Sequence, residues 1–180
     1  MRILSLDVGS KRMGWAVLDF SDVQFGDQRN IRYVASGVLG LDQEPDQKFN
    51  DYRLQIIDYW VSVGQNLLDL HQPYIVVNEI MPMVDPQRGR AAATQSVLAI
   101  SAITAFQTIC VLNKIPVHQI AAVTVKKRIT GNAKATKVQV RNGLFEMVPI
   151  LEALKKPTWK GSTRWEDESD AVAVGVAYLK

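Results

Sequence analysis

Residues 2–20 read RILSLDVGSKRMGWAVLDF: a β-rich run closed by Gly9, the turn GSKR, and a second β-rich run. Residues 31–41, IRYVASGVLGL, add a third. Three consecutive strands with short links predict an antiparallel meander. Further out, Phe49, Leu54, Ile57, Val61, Leu67 and Leu68 recur at roughly helical spacing in a segment that ends near Pro73. The run YIVVNEI (74–80) is a short apolar strand with Glu79 at its C-terminal end. After the loop MPMVDPQRG, residues 90–113 are rich in Ala, Ser and Thr and predict one long helix. IPVHQI (115–120) is a strand, AVTVKKRITG and TKVQVRNGLFEMV are helices, and a final helix starts near Trp165. This order predicts an α/β fold. Its five-stranded mixed sheet has three antiparallel strands plus two crossover strands parallel to the first, flanked by helices.

At 180 residues and 47% hydrophobic, the chain predicts a single domain, 1–180, with a substantial core. The net charge of +3 excludes a histone-like coat. Distribution says more: Val123 to Arg164 holds ten basic residues against two acids, Glu146 and Glu152. Such a stretch is either a solvated surface or a polyanion footprint. Cys110 is the one cysteine, which excludes an internal disulfide and reads as a core residue in a reducing compartment. The N-terminus does not read as a signal peptide, and no run reads as a membrane span of ~20 apolar residues. A soluble, intracellular protein is expected, with LKKPTWKGSTR (154–164) as its flexible piece.

The last helix raises the functional question. TRWEDESDAVAVGVAYL (163–179) sets four carboxylates within five residues, directly before an apolar run. Thr163 and Glu166 have capping-box spacing, and the helix dipole favours acids in a first turn, which accounts for Glu166 and Glu168. Asp167 and Asp170 instead extend the apolar stripe Ala171, Val174, Ala177 and Tyr178. Two like charges near a buried face need compensation, and a divalent cation is the simplest source. Asp7 and Glu79 close the first and fourth strands. If those strands are parallel neighbours, both acids emerge at the edge where open α/β sheets bind ligands. Taken singly, Asp7 is a turn residue and Glu79 an ordinary strand end; the joint pattern is the specific one.

ILSLDVGSKRMGWAVLD, PYIVVNEI and WEDESDAVAVGVA resemble the three acidic motifs of RuvC-type Holliday junction resolvases, of the ribonuclease H-like superfamily, over nearly the whole chain. The resemblance implies that Asp7, Glu79, Asp167 and Asp170 are metal-binding carboxylates. It also implies that Lys126 and Lys137, eleven residues apart, stand beside the scissile phosphate, and that the helix after Arg90 mediates a homodimer. Where the family often carries an aromatic residue three positions after the strand-4 Glu, this chain has Pro82, flanked by Met81 and Met83. Asn78 and DPQRGRAAA also depart from common bacterial forms.

The implied chemistry is phosphodiester hydrolysis with two Mg²⁺ or Mn²⁺ ions ~4 Å apart. Asp7 would bridge them, Glu79 and Asp170 would complete their shells, and Asp167 would ligate or orient the attacking water. Lys137, and secondarily Lys126, would stabilise the phosphorane, with plain backbone anchoring as the other reading of each lysine. Arg88, Arg90, Lys127, Arg128, Lys134 and Arg141 would track DNA phosphates. Trp15 and Trp60 read as core, Trp159 and Trp165 as base-stacking candidates, and His118 as a core histidine. The partner would be a four-way junction, cut symmetrically by a C2 dimer; a branch-migration motor is a possible further partner. The location would be cytoplasmic in a bacterium, or inside the host cell for a virus. Two rivals stay open: a YqgF-like nuclease acting on RNA, whose opening motif is similar, and a non-catalytic junction-binding protein. An actin-like ATPase would need a second half for which 180 residues leave no room.

Overall fold

The computed structural model describes residues 1–9, 11–25, 28–80, 89–148 and 163–180, with backbone only at 22–25, 28–30, 90–91 and 163–165. Strands β1 (Arg2–Val8), β2 (Arg12–Phe25) and β3 (Gln28–Gly40) form the meander. Helix α1 (Phe49–His71) leads to β4 (Ile75–Glu79), and α2 (Gly89–Leu112) to β5 (Val117–Ile120). Helices α3 (Ala122–Thr130), α4 (Lys137–Met147) and α5 (Thr163–Leu179) complete the order. The sheet runs β3-β2-β1-β4-β5; β1 pairs antiparallel with β2, and β1–β4 and β4–β5 are parallel. The expected five-stranded mixed sheet is therefore present.

Alternation along β1 assigns its two faces. Leu4, Leu6 and Val8 point to the α1–α2 layer, with Trp60, Phe106 and Cys110 in the same core cluster. Ile3 points the other way, into a core built with α3, α4 and α5. Helix α5 lies directly against the sheet, because Gly175 would bring a Cβ to 2.7 Å from Ser5 Oγ and 2.8 Å from Leu18 Cδ1.

Three expectations need correction. The buried stripe of α1 is Tyr52, Ile56, Trp60, Gly64, Leu67 and Leu68, while Phe49, Leu54 and Val61 are exposed. The reason is α2: an added Cβ at Gly64 would meet Ile109 Cδ1 at 2.8 Å, so the close helix contact runs through the glycine. His118 is not a core residue, since β5 is an edge strand and the ring is exposed, 5.3 Å from Tyr178. Residues Ala92–Leu112 are long and apolar enough to cross a membrane by length and composition, contrary to the sequence reading. In the fold they form a helix with Leu98, Ala102, Phe106, Ile109 and Cys110 buried on the sheet and α1.

Candidate active site

Strand alternation places the first two acids. Ser5 pairs with Val77 across the parallel β1–β4 ladder, so two residues further along each strand Asp7 and Glu79 leave the sheet on the same face, toward α5. Asp170 reaches the same place from α5. A cleft of about 290 Å³ is lined by these three carboxylates, Lys126, Lys137 and an apolar wall that includes Val125, Val140 and Ala173. Lys126 follows Val125, which with Ile129 anchors α3 in the core. Lys137 is the first residue of α4, and that helix start is fixed by a capping box. The Gln139 backbone N–H donates to Thr136 Oγ1, and the Thr136 N–H donates to Gln139 Oε1.

Asp7, Glu79, Asp170 and both lysines thus meet as expected. Asp167 does not line the cleft. It stands at the rim, with Oδ2 3.6 Å from Arg12 Nε, while Lys137 Nζ donates to Asp170 Oδ2 at 2.7 Å. As a result, among the described residues no three acid, His or Cys side chains already form a cage for an ion. Like charges gathered at one edge repel, and two of them turn to basic neighbours.

The charges still register one another. Burial, then the charges of Asp170, Glu79 and Asp167, push the Asp7 carboxyl up to about 7, against the pull of Lys137. Burial and Asp170 also raise Glu79, opposed by Lys137 and Lys126. Burial raises Asp167, with Arg12 pulling the other way. For Lys137, burial works to lower the ammonium, but the Asp170 hydrogen bond and the charges of Asp170, Asp7 and Glu166 leave it raised. Asp167 Oδ2 is buried with no hydrogen-bond partner. Hard oxygen donors that hold protons too tightly, one with an orphaned lone pair, suit a divalent cation.

Several supports went unseen in the sequence. Gly14, paired with Asp7, would carry its Cβ to 1.9 Å from the Asp167 carbonyl oxygen, so the first turn of α5 rests on bare backbone. Asn78 is fully buried; Gln107 Nε2 on α2 donates to its Oδ1 at 3.2 Å, and its Nδ2 donates to the Glu79 carbonyl at 2.9 Å. This ties α2 to the strand end that carries Glu79. Glu168, accounted for above by the helix dipole, is buried and accepts from Ser36 on β3.

Among the expected phosphate contacts, Lys127 and Lys134 are exposed and Arg141 is half-buried. Arg128 is engaged elsewhere: its Nη1 donates to the Ala177 carbonyl at 2.8 Å, in the last turn of α5 and away from the cleft. That bond also compensates the negative helix terminus. Arg128→Ala is therefore expected to lower stability by about 1 kcal/mol in urea unfolding, while the salt dependence of DNA binding keeps its slope. Arg88, Met81, Pro82, Met83 and Trp159, and the side chains of Arg90 and Trp165, lie outside the described residues.

A family model, crossover junction endodeoxyribonuclease RuvC, matches residues 3–178. The chain belongs to the RuvC family. A RuvC of Xanthomonas euvesicatoria is 28% identical over 177 residues, covering 98% of this chain and 86% of that protein. Thermus thermophilus RuvC in complex with a Holliday junction superposes with a TM-score of 0.68 at 18% identity, covering 98% of this chain and 92% of the other. The yeast mitochondrial Holliday junction resolvase gives 0.69 at 14% identity, covering 98% and 77%. The sheet is thus the ribonuclease H-like sheet of RuvC, and the cleft lies at the C-terminal ends of β1 and β4.

Proposed function

We propose that this RuvC-family chain is a metal-dependent endonuclease that resolves four-way DNA junctions as a homodimer in the cytoplasm, one site per subunit making one of two symmetric nicks. The observation that carries the proposal is the single cleft where Asp7, Glu79 and Asp170 face Lys126 and Lys137. Asp7, Glu79 and Asp170, with Asp167 turned in from the rim, would hold Mg²⁺ or Mn²⁺, two ions in our reading. Bound divalent ions supply an activated water and charge relief on the leaving oxygen. The protein's own part is electrostatic. Lys137, whose ammonium donates to Asp170 Oδ2 across the cleft mouth, would present that charge to a non-bridging phosphate oxygen. Lys126, on α3, would hold the strand in register. Arg12, beside Asp167 on β2, adds a rim cation, and Lys127, Lys134 and Arg141 extend the positive surface along α3 and α4.

The decisive experiment offers the protein a four-way junction, a Y-fork, a linear duplex and an RNA–DNA hybrid, each with and without divalent metal. Paired symmetric nicks in the four-way junction, only with metal, are expected. Preferential cutting of the RNA-containing substrate would transfer the chain to the RNA-processing reading. Tight junction binding without cutting would leave a binding protein. Lys137→Met should lower the single-turnover cutting rate by roughly 10²–10³-fold with junction affinity nearly unchanged, and Lys126→Met by less.

A further inference from the structure

Within one turn of α5, three acidic side chains leave in three directions. Asp170 enters the cleft, Asp167 faces Arg12, and Glu168 crosses β2 to reach the Ser36 hydroxyl on β3. The Ser36 hydroxyl also lies 2.8 Å from the Tyr33 hydroxyl, so the chain Glu168–Ser36–Tyr33 spans from the metal-site helix to the edge strand of the meander. Glu168 is 8% exposed. A carboxylate is costly to bury, and an apolar side chain would fill the same contact without that cost. What the acid supplies is direction: one fixed hydrogen bond, at the point where the Glu168 N–H and the Asp167 carbonyl already rest on Gly14.

We propose that Glu168 is a positioning residue, which through Ser36 and Tyr33 fixes the rotation of the first turn of α5 and so the places of Asp167 and Asp170. The backbone contact at Gly14 sets how closely the turn approaches the sheet. It leaves the turn free to roll about the helix axis, and the lateral tether to β3 removes that freedom. Asp167 and Asp170 flank Glu168 on the same turn, so a roll displaces both carboxylates together relative to Asp7 and Glu79. The inference rests on the metal-dependent nuclease reading above and adds a residue to it that touches neither metal nor DNA.

The test reads metal binding without DNA or catalysis. Free Mn²⁺ is followed by electron paramagnetic resonance while metal-free protein is titrated, for the unchanged protein, Asp7→Asn, Glu168→Ala, Glu168→Gln and Ser36→Ala. Glu168→Ala should bind Mn²⁺ about tenfold more weakly, the lower end for loss of a supporting residue around a metal site. Glu168→Gln, whose amide oxygen still accepts from Ser36, should return to nearly the original affinity. Ser36→Ala should weaken binding in the same direction by less. Unchanged affinity in Glu168→Ala overturns the proposal, and so does Glu168→Gln binding as weakly as Glu168→Ala, which would make the charge and not the tether responsible. If Glu168→Ala does not fold, Ser36→Ala decides, and unchanged affinity there overturns it. Absence of any Asp7-dependent Mn²⁺ binding in the unchanged protein overturns the nuclease reading and this inference together, and is visible before any Glu168 variant is compared.

Discussion

Asp7→Asn is expected to do two opposite things: abolish cutting and stabilise the metal-free fold. The catalytic loss follows from its place between Glu79 and Asp170. Metal ions contribute several kcal/mol of charge stabilisation in the transition state, so losing a carboxylate proposed to hold them should cost at least ~10³-fold in rate. The gain in stability follows from the carboxyl that burial and three neighbouring acids push from 3.8 up to about 7. The unfolded chain ionises Asp7 near pH 4 and the folded one only near pH 7. Between these values the folded state binds the extra proton, and stability falls as pH rises. Above pH 7 the full penalty is present, ~4 kcal/mol at about 1.4 kcal/mol per pH unit. Chemical denaturation at pH 8 in chelator should therefore find Asp7→Asn more stable than the unchanged protein, and at pH 4 the two should converge. Adding Mg²⁺ should reverse the order at pH 8, because a cation that binds only the folded, Asp7-containing site stabilises it by mass action. A variant that loses both activity and metal-free stability would mean that Asp7 is a structural residue.

The acids of this site were legible because each is tied to a local rule. A carboxylate at a strand end and an Asp-x-x-Asp pair on an apolar stripe can be located from periodicity alone, and the parallel pairing of β1 and β4 does the rest. Lys137 is positioned by Thr136 and Gln139, neighbours in sequence. The same local rules failed on α1, which carries apolar residues on more than one side. The buried side is chosen by Gly64 and by Tyr52 and Trp60, residues that hydropathy does not favour, and only α2 makes the choice. Glu168 was unreadable for a related reason. Its partner Ser36 lies on β3, 132 residues away along the chain, and an acid in a first helical turn already has an adequate local explanation. Arg128 looked like one more cation in a basic run until the last turn of α5 was seen to lie against it.

Gly14→Ala should damage catalysis strongly, although Gly14 carries no functional group. The added Cβ would sit 1.9 Å from the Asp167 carbonyl oxygen and 2.5 Å from its carbonyl carbon. Both are backbone atoms in a helix, so no rotamer change relieves the clash, and the first turn of α5 must lift by about 1 Å or more. Misplacement on that scale costs roughly 10²-fold in rate, and the forced repacking about 1–3 kcal/mol of stability. Gly175→Ala supplies the contrast. Its Cβ would meet Ser5 Oγ and Leu18 Cδ1, side-chain atoms that can turn aside, roughly one and a half turns of helix beyond Asp170. A comparable loss of stability is expected there, with cutting much less affected. The comparison is made on single-turnover rates at saturating Mg²⁺, well below either melting transition. Equal losses of rate in the two variants would mean that the whole helix moves as a rigid body, and that contact at Gly14 has no particular hold on Asp167.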